Sequence, residues 1–519
     1  MSVFSWLENK VNQQKMIQNK LTFCDDEYIN NAITNMNNLE LAIEQEENAI
    51  WYKGNPDYLL WWYTKGVIYD GIQIIMNQQV SRNWCNYYWT KSALEENIKR
   101  THSGLPRQMI EVLQSCLGNP IIKCKDKAKE KVVNDILDEN NAIQLIARQV
   151  KMDMAIGDGC YLVNVDKDKS DYPIIEWVDG RDVSYEYTGS KITGVVVCKF
   201  HDFNGTTYTC YERRSTIREK GKRCATITYK LFENDSKKGY VEVPLNTIPQ
   251  TSHLENLKFN NIPFMLAVPT MRIMDEETKR GVSIYRGRID IFDDLDQNIS
   301  QEANIMRAIT PVEYIDSNLL EKDGDNNPIM PSAFGKQFII YRGSENYNQT
   351  PNNVDTHFYQ IDFTKLNVES QESYTRAMNG IISPATMGMD ISRKDNALAQ
   401  REKEKITLQT LKSLKEYETD VIERLCNISL SLYDLMLNKN AEYEDYEVEV
   451  SFRDYATPSL SEKINTYKDA VKDGVMSVDR FILECYGDES IESQEKEKQA
   501  ILEALERDKP TFDIKSMEE

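Results

Sequence analysis

The chain has 519 residues, with 62 Lys and Arg against 83 Asp and Glu, for a formal charge of −21. A composition of 40% hydrophobic and 28% charged residues is a globular balance, which excludes wholesale disorder and collagen-like repeats and predicts two to four domains of about 100–200 residues each. The acidity argues against a duplex-gripping protein with a basic face. No stretch approaches the roughly 18 consecutive apolar residues of a membrane span, and Met1 to Lys15 lacks the apolar core of a signal peptide, so a soluble, non-secreted chain is expected.

Residues 1–100 read as helical and aromatic, with Trp51, Trp61, Trp62, Trp84, Tyr87, Tyr88 and Trp89 set between acidic or amide-rich runs. Lys and Arg are too sparse there to track a phosphate backbone, so packing or subunit contact is expected of these rings rather than base stacking. Between Leu105 and Val150 two amphipathic helices are predicted, divided at Gly118-Asn119-Pro120. From Gly157-Asp158-Gly159 a sheet follows, with strands near Cys160–Val165, Ile174–Val178, Gly194–Phe200, Thr206–Glu212 and Ala225–Leu231. The basic run Arg213 to Arg223 reads as a solvated hairpin tip.

After Gly281-Val282-Ser283-Ile284-Tyr285 comes a clear helix. Tyr285, Ile289, Phe292, Leu295, Ile299, Ala303 and Met306 recur at steps of three or four, while Asp290, Asp293 and Asp294 form an acidic face expected to be solvated. This helix stops at Pro311 and is followed by a compact insert with strands near Pro311–Ile315 and Phe338–Tyr341. A return helix is predicted over Leu366 to Ile382. Then a breaker loop at Ser383-Pro384 leads to a very long helix, about Asn396 to Leu437, and a strand at Tyr446–Phe452. The remainder, from Ser461, is helical and acid-rich. Fold class is therefore α+β, helix-rich, in several domains.

Catalytic constellations are missing from the sequence. Gly335-Lys336 is followed by Gln337 and lacks the first Gly of a phosphate loop, and the metalloprotease, nucleophile-elbow and dinucleotide motifs do not occur. The ten cysteines form no C-x-x-C pair and the four His are isolated, so no catalytic residue, metal site or cofactor is assigned and the cysteines are expected to be reduced.

The order of elements, with Gly281-Val282-Ser283-Ile284-Tyr285 ahead of Asp290-Ile291-Phe292-Asp293-Asp294-Leu295-Asp296, resembles the portal proteins of tailed double-stranded DNA bacteriophages, of the type in siphophages of Gram-positive hosts. Ile382-Ser383-Pro384-Ala385-Thr386-Met387-Gly388-Met389-Asp390 and the following Asn396-Ala397-Leu398-Ala399-Gln400 look like that family's passage from the second stem helix to its long helix. Leu117-Gly118-Asn119-Pro120-Ile121 and Gly157-Asp158-Gly159-Cys160-Tyr161 are similar to its wing.

The resemblance implies a dodecameric ring at one capsid vertex, a channel for packaging and ejecting the genome. Its partners would be the terminase motor, later head–tail adaptor proteins, the major capsid and scaffolding proteins, and duplex DNA passing without sequence specificity. Wing would be 1–282, stem helices 283–309 and 366–382, clip 310–365, tunnel loop 383–396, long helix and returning wing strand 397–460, and crown with acidic tail 461–519. Location would be the virion, with host cytoplasm before assembly and no membrane. Twelve copies would carry roughly −250 formal charges, and a negative channel repels phosphates so that DNA slides.

Under this resemblance Arg393 and Lys394 are the residues expected to touch DNA at the tunnel loop. Tyr285, Ile289, Phe292, Leu295, Ile299 and Met306 are expected to pack the stem against its return helix or a neighbouring subunit. Asp290, Asp293 and Asp294 are expected to face the channel or inter-subunit Arg286 and Arg288, and the clip strands to pair across subunits. Two other readings stand beside it: another phage head protein (minor capsid or adaptor), and a metal-dependent nuclease built on the aspartates.

Overall fold

The computed structural model describes residues 39–63, 87–90, 99–219, 221–235, 239–308, 312–316, 337–341, 363–389, 402–438, 445–452, 476–486 and 495–502, with a few single positions between them. The chain divides into two units, Met1–Phe452 and Arg453–Glu519. Both helices and sheets are present, so the class is α+β.

The first unit opens with α1 (Leu39–Lys53) and α2 (Pro56–Trp61), the latter capped by Asn55, whose side chain accepts from Asp57 N. The region from Leu105 to Ile156 holds three helices and a strand where two helices were expected: α3 (Leu105–Leu117), β1 (Pro120–Cys124), α4 (Lys127–Glu139) and α5 (Ala142–Ile156). Its second break is a pair of asparagines. Asn141 takes a left-handed φ of 49°, while Asn140 donates to Ile136 O and Pro173 O and accepts from Ile175 N, so its amide replaces helical hydrogen bonds and ties the turn to the next sheet.

Strands β2 (Asp158–Asn164), β3 (Ile174–Asp179) and β10 (Ala267–Met271) form a three-stranded sheet in the order β10-β2-β3. Between them in sequence lie β4 (Val183–Thr188), β5 (Lys191–Phe203), β6 (Thr206–Glu219), β7 (Lys222–Asp235) and β8 (Gly239–Val243), an antiparallel meander, with β9 (Leu257–Phe259) also paired to β7. The basic run is only partly a tip. Arg213 and Arg214 belong to the β6 ladder, where Arg213 pairs with Glu186 at 2.7 Å and the fully buried Arg214 donates to Glu212, Val163 O and Leu266 O.

The helical pair is α6 (Ile289–Ala308) and α7 (Phe363–Met378). Strands β11 (Val312–Asp316) and β12 (Gln337–Tyr341) lie between them in sequence and pair with each other in parallel, within one chain. Cross-subunit pairing is thus not how these two strands meet their first hydrogen-bond partners. The return helix ends at Met378, four residues before the predicted Ile382, because Gly380 takes a left-handed φ of 77° and stops it.

Helix α8 (Lys405–Leu437) is the spine of the unit. Leu411, Leu414, Val421, Ile422, Leu425 and Cys426 are buried along one stripe, and Ile428 to Leu432 are buried on every side, which is how a helix of 33 residues is held against the body rather than standing in solvent. Its end feeds β13 (Val448–Phe452), which returns to pair antiparallel with β1, Ile122 opposite Val450. In the second unit α9 (Val478–Tyr486) buries Phe481, Ile482 and Cys485 against Ile464, Tyr467, Val471 and Ile501. Cys24 and Cys85 lie outside the described residues; the other eight cysteines are buried.

Where α5 meets α8, two carboxyl groups share one dry site. Gln149 Nε2 donates to Asp153 at 2.7 Å and to Glu418 at 3.1 Å, and Thr270 donates to Asp153 at 3.0 Å. Burial pushes Glu418 up to about 7, against the pull of Gln149 and Arg272, and raises Asp153 well above the usual carboxylate range with Glu418 adding to it. The folded protein therefore keeps on Glu418 a proton that an unfolded chain has lost by pH 5, and this site loses stability as pH rises from about 4.5 to about 7. Glu418→Gln should accordingly be more stable than the parent at pH 8 by up to about 3 kcal/mol, with the gain vanishing near pH 4.5. Urea unfolding at the two pH values measures the difference.

Candidate functional site

The start of α6 is where the sequence motifs converge. Gly281 and Gly157 touch: a Cβ on either would overlap the carbonyl group of the other, and Gly157 sits at φ 117°, so both positions need glycine. Beside this contact, fully buried Asp158 takes a two-pronged ion pair from Arg280, Nε to Oδ2 at 2.7 Å and Nη2 to Oδ1 at 2.9 Å, and accepts from Gly281 N at 2.9 Å. Ser283 Oγ donates to Ala155 O at 2.6 Å. The first turn of the sheet and the entry to α6 are thereby locked together.

Tyr285, Ile289, Phe292 and Leu295 are buried within their own chain. Tyr285 donates to Pro106 O at 2.7 Å, and Phe292 meets the rings of Tyr285 and Trp51 at 5.5 and 6.0 Å between centroids. Contact with a neighbouring subunit is therefore not what covers these four. Ile299 is partly buried, and Met306 is 52% exposed. Helix α7 packs alongside, with Asn298 donating to Ser373 at 3.1 Å and Arg288 to Ala377 O at 3.3 Å.

The acidic face divides in two. Asp290 and Asp294 are exposed, Asp290 accepting a bond from the Tyr87 hydroxyl, but Asp293 is buried, accepting from Tyr88 N at 2.6 Å and Trp89 N at 3.4 Å. Burial raises Asp293 to about 7, opposed by those two backbone donors. A solvated face for Asp293 is thus corrected: the amides of Tyr88 and Trp89 need an acceptor, and the helix supplies it. Arg286 is also engaged within the chain, donating to Asp275 at 2.9 Å.

One turn on, Asp296 is wholly buried and accepts from Trp89 Nε1 at 3.1 Å, from Ser103 N at 2.8 Å and from the His102 ring at 2.7 Å. Sequence reasoning assigned no role to Asp296 or His102, since nothing in their spacing shows that 194 residues of chain bring them together. The aromatic expectation fares better in kind: Trp51, Trp62 and Trp89 are fully buried, and Trp51 donates to Tyr63, which donates to Glu47. Among the described residues, no group of His, Cys, Asp and Glu is arranged to hold a metal ion.

After α7, Ile381 and Ile382 are buried, and Ser383, Thr386 and Thr407 bond to one another, pinning the turn that precedes α8. Arg393, Lys394 and Gly335-Lys336 lie outside the described residues.

These features define an α+β chain in which a pair of helices, carrying a small two-stranded insert, is anchored into a large body by a buried polar socket. A family model of phage portal proteins, SPP1 Gp6-like, matches residues 41–511, and the chain belongs to that family, a structural component of the phage capsid and virion. No curated protein matches it. Solved structures similar to it include the neck of an empty GTA particle, at 11% identity over 78% of this chain and 95% of that one, TM-score 0.36. Another is the neck of a native GTA particle, at 10% identity over 73% and 88%, TM-score 0.33.

Proposed function

We propose that the chain is the subunit of a closed portal ring, dodecameric, set at one capsid vertex of a tailed phage of the siphophage type that infects Gram-positive hosts. DNA enters and leaves through its channel. The terminase motor docks on it during packaging and head–tail adaptors replace the motor afterwards, with subunits assembling in the host cytoplasm beside capsid and scaffolding proteins. Membership of the portal family carries this reading. The helix pair α6 and α7 with its insert supports it as the stem and clip, residues 283–309, 366–382 and 310–365, and the charge of −21 suits a conduit that does not retain phosphates.

Within that reading the exposed Asp290 and Asp294 supply negative charge toward the channel or a neighbouring subunit, and Met306, exposed on the single chain, is covered by a neighbour. Arg393 and Lys394 touch the passing duplex in the loop 383–396. Light scattering and negative-stain images of the full chain test the proposal, with a ring of near twelve subunits around a channel as the expected result. A compact monomer or dimer that cleaves DNA with a divalent ion would overturn it. In the same rings, neutralising Arg393 and Lys394 together should change DNA retention and leave assembly intact.

A further inference from the structure

One end of the β4–β8 sheet carries two exposed patches of opposite character on its opposite flanks. The β6–β7 tip and β9 form the first. Arg218 and Arg223 stand directly opposite each other on one face of the ladder, with no hydrogen-bond or ion-pair partner among the described residues, while on the other face Glu219 pairs with Lys258. Like charges placed directly across a ladder weaken it, so the hairpin itself gains nothing from this arginine pair. Leu257, 37% exposed, adds apolar surface on the arginine face four residues along β7 from Arg223, and Ile217, also 37% exposed, lies on the Glu219 face of the hairpin.

The loop from Arg272 to Gly281 forms the second patch. It lies at the β4 flank, where the Tyr187 hydroxyl donates to Lys279 O at 2.6 Å and Met274 bridges to Gly281. Its base is fixed by the Arg280–Asp158 pair, Asp275 is taken up by Arg286 and Thr278, and Lys279 lies over the Tyr187 ring. Glu276 and Glu277 remain exposed without a hydrogen-bond or ion-pair partner among the described residues, next to Ile273 and Met274, 49% and 44% exposed. Residue pairing sets the order β4, β5, β6, β7, β9 at this end, which puts the two arginine strands about 10–15 Å from β4 and the outer edge at β9 about 20 Å from it at the usual strand spacing.

We infer that these flanks are the two halves of one head-to-tail interface, so that the arginine tip of each subunit receives the Glu276–Glu277 loop of a second copy of this chain. Complementary patches on opposite flanks of one subunit are what a heterologous contact requires, and such a contact repeats until the ring closes. Each half combines apolar side chains with a pair of like charges that lack an ion-pair partner among the described residues, Arg218 and Arg223 on one and Glu276 and Glu277 on the other, and the opposed signs fix the register. The inference rests on the ring reading and names one of the surfaces that build it.

Charge exchange on the full chain tests it, with particle mass followed by mass photometry and folding by circular dichroism. R218E/R223E and E276R/E277R should each remain folded and each lose rings by on the order of tenfold or more at a fixed concentration, since like charges then meet. An equimolar mixture of the two should regain rings, because every tip then finds a loop of opposite sign. If either variant alone assembles like the parent, or the mixture of folded variants fails to recover, the two patches do not meet and the inference falls while the ring stands. A parent chain that never forms rings removes the ring reading and this inference with it.

Discussion

Arg280→Ala should lower the stability of the first unit by about 3–5 kcal/mol, the range found when one member of a buried ion pair is removed and the other is left in place. The guanidinium is the main partner of both Asp158 carboxylate oxygens, which have no exposure to water, and after its removal Gly281 N alone would still donate to them. The effect should spread, because the same guanidinium donates to Gly180 O and lies over the Tyr185 ring, so sheet, turn and α6 entry loosen together. Arg280→Lys should recover only part of the loss, since an ammonium cannot bridge both oxygens in the plane. Arg286→Ala, whose pair with Asp275 is 47% exposed on the arginine side, should cost less than about 1 kcal/mol. Denaturant unfolding of the three variants separates these outcomes, and equal losses for Arg280→Ala and Arg286→Ala would show that the buried pair is not what holds the latch.

Asp296→Ala should be nearly as severe, about 3–5 kcal/mol, for a different reason. Three donors, the buried Trp89 indole and the partly buried Ser103 amide and His102 ring, end on this one buried carboxylate, and each left unmade costs up to about 1–3 kcal/mol. Ser300 on the next turn would still hold Thr101, donating to its carbonyl at 3.2 Å and accepting from its amide at 2.8 Å, so the segment should loosen rather than detach. Hydrogen exchange at Ser103 should accelerate sharply in Asp296→Ala and stay unchanged in Asp294→Ala, whose side chain is exposed. Unaltered protection at Ser103 in Asp296→Ala would mean that the socket does not anchor the segment.

Much of the architecture was legible because its signals are local. The step of three and four along Tyr285, Ile289, Phe292 and Leu295 marks a buried helix face, and alternating strands with Asn204-Gly205 between them mark the β5–β6 hairpin. What stayed hidden depends on distant partners. The stripe shows that Phe292 is covered, but whether its own Trp51 or another subunit covers it is a tertiary fact. Asp290, Asp293 and Asp294 are equivalent as letters, and only the turn at Tyr88 and Trp89 distinguishes the middle one. Short edge elements such as β9 and β10 were missed because three to five residues carry too little periodicity to rise above the loops around them.

The antiparallel pairing of β1 with β13 has a consequence for synthesis of the chain. The ion pair beside it, Lys125 with Glu447, joins positions 322 residues apart, so on a translating ribosome β1 emerges roughly half a minute before its partner strand exists, at ordinary elongation rates. Throughout that interval one side of β1 offers unsatisfied amides to any passing strand, including the same segment of another nascent chain. Closure of the clasp thus waits until the chain has been made through Phe452, and a subunit truncated before Val448 would keep an adhesive edge and be prone to aggregate.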